Sequence, residues 1–302
     1  MKKHGILLIV CIFLILASCT KSSVGPSLEY ILSANPKLQV VFDKYQDDSL
    51  KHRAAVFLIE NLPFHYSYEG EALNDYLKLF ELHGKGTMYP DKVLDSIKRA
   101  CGPFHLDRLE AKSDIYIDPA YLIENIEWAF KVWREQPWGK NISFDMFCEN
   151  LLPYRIGDES LGYWREMYYE KYNQLLDSLK MSDSLDIEDP VVAANYLINK
   201  LPDKWHYYTS TTPYSFGHIG PEYVQYLSGT CREVTDFAVY LFRALGIPCA
   251  IDFVPVRSYV NAGHFWLVTW NKYGETYMAN FPENLGMVRK NWWYRWDDSP
   301  KV

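Results

Sequence analysis

The stretch from residue 228 to 284 limits the possible folds more than any other part of the chain. Thr230, Cys231, Arg232 and Glu233 lead into Val234, Phe237, Ala238, Leu241, Phe242 and Leu245, apolar positions three or four apart, and Gly246-Ile247-Pro248 ends the run. That spacing predicts an amphipathic helix with Thr230 as its N-cap, and Glu233 three residues on completes a capping-box pattern. Apolar runs follow at 249–256, 264–270 and 275–280, separated by a loop at 257–263 and by Asn271-Lys272-Tyr273-Gly274. Short apolar runs bounded by turn residues read as strands, and the tight turn makes the last two antiparallel. These patterns amount to one helix followed by three short strands.

Reactive groups gather at one end of this segment. Cys231 falls in the first helical turn, where N–H groups without intrahelical partners and the positive end of the dipole favour a thiolate and can receive an oxyanion. Taken alone, a cysteine near a helix start is a small buried residue. The strands change that reading. His264 opens one strand and Asn280 closes its partner, so a turn at 271–274 brings both toward the open end of the hairpin. A thiol, a histidine and an amide able to orient the ring are the parts of a cysteine-nucleophile site.

These residues resemble the transglutaminase-like superfamily of papain-type cysteine enzymes. The matching motifs are Gly229-Thr230-Cys231, Ala244-Leu245-Gly246-Ile247-Pro248 and Gly263-His264-Phe265-Trp266, with a third polar residue, Asn280, after the hairpin. Many members carry Asp at that third position, whereas Asn280 orients the imidazole without adding charge. The resemblance implies an α+β papain-like core, a helix bearing the nucleophile packed on an antiparallel sheet, in which Cys231 attacks an amide carbonyl, His264 carries the proton and Asn280 holds the ring. No metal and no organic cofactor takes part. It also implies hydrolysis of peptide or isopeptide bonds, with acyl transfer to an amine and a non-enzymatic glycan- or peptide-binding role as alternatives. The partner is then a peptide or protein, cell-wall or glycan-linked substrates included. A second oxyanion donor is sought among Trp205, His206, Tyr207 and Tyr208, without a choice among them.

The flanking sequence sets the organisation. From 28 to 180 the periodicity is helical, as in Ala54, Ala55, Leu58 and Ile59, in Leu73, Tyr76, Leu77 and Phe80, and in Ile123, Ile126, Trp128, Ala129, Phe130 and Trp133. An acidic, serine-rich stretch at 181–190 separates this region from the core expected at 190–302. At the other end, Lys2-Lys3, an apolar run at 6–16 and Leu16-Ala17-Ser18-Cys19 have the order of an export signal over residues 1–18, and the run is too short to span a bilayer. The ending resembles the lipobox of bacterial lipoproteins, and the helical region, through Phe144 to Arg155 with Leu152-Pro153-Tyr154-Arg155, resembles exported Bacteroidetes lipoproteins. It implies lipidation at Cys19, a polar tether at 19–27, membrane attachment and a place in the cell envelope.

Charge and cysteine content narrow the function classes. Lys and Arg number 31 and Asp and Glu 38, a formal charge of −7, and no cluster of basic residues is dense enough to follow a phosphate backbone, which argues against nucleic acid. Cys101, Cys148, Cys231 and Cys249 remain for the folded part, with no CxxC and no Cys/His spacing suited to zinc. Aromatic residues make up 16%, enough for a large aromatic core or for a sugar- or peptide-binding surface. His65, His83, His105 and His218 are isolated in sequence and read as surface or hydrogen-bonded core residues. Glu159, Arg165 and Glu166 beside Trp164 read as a solvated helix face, with a cleft-facing network as the alternative, and Trp292, Trp293, Tyr294 and Trp296 as packing at a domain edge, with sugar stacking as the alternative.

Overall fold

The computed structural model describes residues 27–86, 92, 95, 96, 99, 100, 109–201, 205–207, 217–256, 263–279 and 286–290. Cys19, Cys101, His105, Tyr208, Asn280 and the aromatic cluster at 292–296 lie outside the described residues.

Three short helices open the chain: α1 (Leu28–Ala34), α2 (Gln39–Lys44) and α3 (Ser49–Asn61), the last capped by the Asp48 carboxylate, which accepts from the Lys51 N–H. Strand β1 (Tyr66–Glu69) and helix α4 (Glu71–Gly84) follow. Strand β2 (Glu110–Ser113) pairs antiparallel with β1. Helix α5 (Pro119–Glu135) starts at an Asp118 cap with proline in its first turn, where a missing N–H costs nothing. Then come α6 (Phe144–Asn150), α7 (Arg165–Tyr172), α8 (Asp177–Lys180) and α9 (Pro190–Lys200).

The C-terminal part is β3 (His206–Tyr207), α10 (Pro221–Val224), β4 (Ser228–Gly229), α11 (Cys231–Ala244), β5 (Cys249–Val254), β6 (His264–Trp270), β7 (Thr276–Ala279) and β8 (Val288–Arg289). Strands β5 to β8 form one antiparallel meander in chain order, and β3 pairs parallel with β4. The chain is thus of the α+β class. The tight turn between β6 and β7 is held by Asn271, whose Oδ1 accepts from the N–H groups of Tyr273 and Glu275, with Gly274 at φ +79°.

Two hydrophobic cores form. The first joins α1, α2, α3, α5 and α6 around Ile31, Val41, Leu58, Leu122 and Phe130, with Trp133 stacked on Phe147 at 4.3 Å between ring centroids. The second surrounds α11, whose residues from Glu233 to Ala244 are all buried. A helix covered all round needs neighbours on every side. Leu267, Cys249 and Ala279 of the sheet cover one side, and Tyr168 and Tyr172 of α7 with Trp164 cover the other. Trp164 and Tyr168 pack on Tyr240 at 5.0 Å and 6.1 Å. Leu73, Tyr76 and Phe80 of α4 join this core, as does Leu197 of α9, so it takes side chains from both sides of the 181–190 stretch.

Arg165 is not on a solvated face. It is 1% exposed: Nε donates to Asn125 Oδ1 at 2.6 Å and Nη2 to the carbonyls of Leu151, Leu152 and Pro153. The guanidinium therefore organises the turn after α6, satisfying carbonyls that would otherwise be buried without partners. Glu159 is buried as well, and only Glu166 of that group is exposed.

Candidate active site

The backbone that feeds Cys231 is held on several sides. The indole N–H of Trp205 donates to the Gly229 carbonyl at 3.1 Å, and the His206 N–H donates to the Leu227 carbonyl at 2.8 Å. Ser228 is fully buried and its hydroxyl bonds the Nδ1 of His83. Leu227 takes φ +55° and Gly229 φ +137°. A leucine in the left-handed region is a strained residue that its surroundings must hold, and it sits four positions before Cys231. Gly229 has no substitute there, because a Cβ would lie 2.6 Å from the Glu233 Cβ.

Glu233 fixes the start of α11. Its Oε2 accepts from both the N–H and the hydroxyl of Thr230, each at 2.7 Å. Cys231 follows as the first helical residue, half-buried and not disulfide-bonded, with its carbonyl accepting from the Thr235 hydroxyl. Cys148 and Cys249 differ from it. Both are buried, and burial pushes each thiol up to about 12.

His264 is the first residue of β6, paired with Val254 of β5, and its ring lies 5.8 Å from that of Trp266. The starts of α11 and β6 meet through the residues that follow Cys231 and His264. The Arg232 guanidinium lies over the Phe265 ring at 5.3 Å, and its Nη1 donates to the Gly217 carbonyl at 3.0 Å. Arg232 and Phe265 both line a cleft of about 410 Å³, with Phe64, Tyr66, Asp158 and His218 on its other walls. Strand β7 ends at Ala279, opposite Leu267, and Asn280 is the next residue in the sequence. No family model, curated protein or solved structure matches the chain.

Of the four residues offered as the second oxyanion donor, Trp205, His206 and Tyr207 lie among the described residues, the last two forming β3. Trp205 has a single indole N–H, and it is committed to Gly229. His206 is exposed on β3, its ring 5.7 Å from that of His83.

His218, isolated in sequence, is paired in the fold. Its Nδ1 lies 2.8 Å from Oδ2 of Asp236, on the second turn of α11, and its backbone N–H donates to Asp158 at 2.9 Å. Burial alone would lower the imidazole. Asp236 outweighs it, aided by Glu159 and Asp158, and the ring is raised to about 9. Asp236 is pulled both ways: burial pushes it up, the imidazole pulls it back, and it stays raised at about 6. At neutral pH the pair is therefore imidazolium and carboxylate. Oδ1 of Asp236 has no hydrogen-bond partner among the described residues. Sequence reasoning missed this pair because eighteen residues separate its members; the one available signal was an aspartate inside the apolar-rich run from Val234 to Phe242.

A buried network fixes the wall opposite α11. Asp114 receives two bonds from Arg155, from Nε and Nη2, each at 2.8 Å, and one from the Tyr154 hydroxyl. Glu159 accepts from the N–H groups of Ile156 and Gly157 and from the hydroxyl of Tyr240 on α11, each at 2.7 Å. Burial would raise Glu159, but Arg155, the Ile156 N–H and Tyr240 together hold it below the usual carboxylate range. Charges removed from water are tolerable only when bonded in this way. The turn so held places Gly157 against the edge of the His218 ring, where an alanine Cβ would be 2.2 Å from Cδ2.

Proposed function

We propose that the chain is a transglutaminase-like cysteine enzyme with a papain-like core, hydrolysing peptide or isopeptide bonds, and that it is an envelope lipoprotein anchored through Cys19. The observation that carries the reading is the meeting of the starts of α11 and β6. Arg232 on Phe265 joins the residues next to Cys231 and His264, and Cys231 is the partly exposed cysteine of the three described. Cys231 attacks the amide carbonyl while His264 takes the thiol proton, giving a tetrahedral oxyanion held in part by N–H groups of the first turn of α11. Collapse breaks the C–N bond as His264 returns the proton to the leaving amine. Water, deprotonated by the same imidazole, then opens the thioester and releases the acid and the thiol. Asn280 holds the ring by accepting from Nδ1, which leaves Nε2 for sulfur.

An amine in place of water would use the same groups. The test is release of amine from a library of N-acyl peptides by wild type and by Cys231→Ala, His264→Ala and Asn280→Ala. Loss of turnover of at least a thousandfold for the first two and a smaller loss for the third is expected. Turnover that survives Cys231→Ala overturns the reading.

A further inference from the structure

Among the described residues, half of the large apolar side chains that stand exposed gather around two neighbouring hollows. Phe64, Tyr66 and Phe253 border the cleft beside α11, Phe253 through its stacking on Phe265 at 5.7 Å. Tyr116, Leu161 and Tyr163 border the second hollow, a pocket of about 300 Å³ on the other side of the 157–163 turn. Apolar surface concentrated in this way on a folded chain marks a binding face. The pocket's size falls at the lower end of the roughly 300–1,000 Å³ of small-ligand sites.

The chemistry of the pocket selects the ligand. Tyr116 and Tyr163 are 63% and 58% exposed, and Tyr163 is set by the Tyr121 ring at 5.2 Å, whose own hydroxyl is fixed on the Gly162 carbonyl. These rings offer flat apolar faces. Between them the lining is hydroxylic: Ser67 belongs to a buried strand position and Ser160 to the turn, and among the described residues neither side-chain hydroxyl has a protein partner. The charged groups nearby are already balanced. Lys112 bonds Glu69 at 3.1 Å, and both Asp114 oxygens are taken by Arg155 and Tyr154. Asp118 also lines the pocket, and its carboxylate works against an anion. The pocket therefore favours neither a phosphate nor an acidic side chain. A pyranose ring, apolar on its faces and rimmed by hydroxyls that both donate and accept, matches aromatic planes around hydroxyl groups.

We propose that the pocket between β2 and the 157–163 turn binds a neutral saccharide, with Tyr116 and Tyr163 as stacking platforms and Ser67 and Ser160 as hydrogen-bonding groups. The site shares strand β1 with the candidate active cleft, which Tyr66 lines while Ser67 lines the pocket.

The full chain is tested on an array of neutral and acidic oligosaccharides, with tripeptides spotted as controls. Wild type and Cys231→Ala are expected to retain the same neutral glycans. Tyr116→Ala and Tyr163→Ala are each expected to lose at least tenfold in signal, while Tyr163→Phe keeps it because the ring is retained. Both alanine positions are exposed, so thermal unfolding at the wild-type temperature confirms that the loss is local. Retention of no neutral glycan, capture of peptides or acidic glycans alone, or binding at the wild-type level by both alanine variants overturns the proposal. Loss of catalysis in Cys231→Ala bears only on the hydrolase reading, since that variant is expected to bind saccharide unchanged.

Discussion

Replacing Asp236 with asparagine separates the two forces that act on His218. In the native protein burial lowers the imidazole and Asp236 raises it, with the balance at about 9 against an ordinary 6.5. The difference of 9 − 6.5 = 2.5 corresponds to about 3 kcal/mol of preference for the protonated ring. Asparagine keeps an oxygen for the Nδ1–H but removes the charge, so burial dominates and His218 should titrate at least two pH units lower. Glu159 and Asp158 remain as smaller positive influences. Because the folded value lies above the unfolded one, the stability that His218 contributes is complete below about pH 6.5 and is lost as pH rises through about 9. Asp236, raised to about 6, acts the same way at lower pH: its contribution is complete below its unfolded value and gone above about 6. Imidazole 1H–15N correlation spectra from pH 5 to 10 read the titration directly, and urea unfolding at pH 6.5 and pH 9.5 reads the linkage. Wild type should lose about 3 kcal/mol more than Asp236→Asn between those two pH values. A His218 titration within half a unit of wild type, or parallel stability profiles, would refute the pairing as the cause.

Three further outcomes follow from named contacts. With iodoacetamide at pH 7 and peptide mapping, Cys231 should be modified first; thiols pushed up to about 12 are about 10³-fold less ionised than ordinary cysteine, so Cys148 and Cys249 labelling at the rate of Cys231 would contradict their burial. Gly229→Ala should cost more than about 2 kcal/mol in urea unfolding, since it forces alanine to φ +137° with its Cβ against Glu233; an unchanged midpoint would show that the Thr230 cap can move aside. Arg155→Met should cost about 3–5 kcal/mol by leaving the buried Asp114 carboxylate without its guanidinium, and a loss below 1 kcal/mol would mean that Asp114 takes up a proton without penalty.

Local rules made much of the fold legible in advance. The stripe Leu73, Tyr76, Leu77 and Phe80 is the buried face of α4, the run 264–270 is β6 residue for residue, and Thr230 with Glu233 marks the start of α11. In each case side-chain period or capping chemistry acts within a few residues. Pairing across long separations left no such trace. Strand β1 reads Tyr-Ser-Tyr-Glu and finds β2 forty-four residues later across its register (Tyr66 opposite Ser113, Glu69 opposite Glu110), in a region whose dominant period is helical. Glu159 and Arg165 looked solvated because charge predicts exposure until partners are known. Their partners are backbone groups at 151–157, Asn125 and Tyr240, none of which a helical wheel displays. At the candidate site, the start of α11 could be read from residues 229–233, whereas the His218 and Asp236 pair depends on how the chain returns to α11 from a loop.

The all-round burial of α11 bears on how such a chain can be inherited. Its sheet side is supplied by residues that follow it, but its other sides are closed by Tyr76, Trp164, Tyr168 and Leu197, and Trp138 donates its indole N–H to the Leu245 carbonyl at the helix end. A gene fragment encoding only the last third would expose Phe237, Tyr240 and Leu241 together, on the helix that begins at Cys231. Recombination that exchanged the front half of this protein for an unrelated one would leave the central helix without its sleeve. The helices before residue 180 and the strands after 249 are therefore bound to one another through α11, so a substitution that changes side-chain volume on one side is felt on the other.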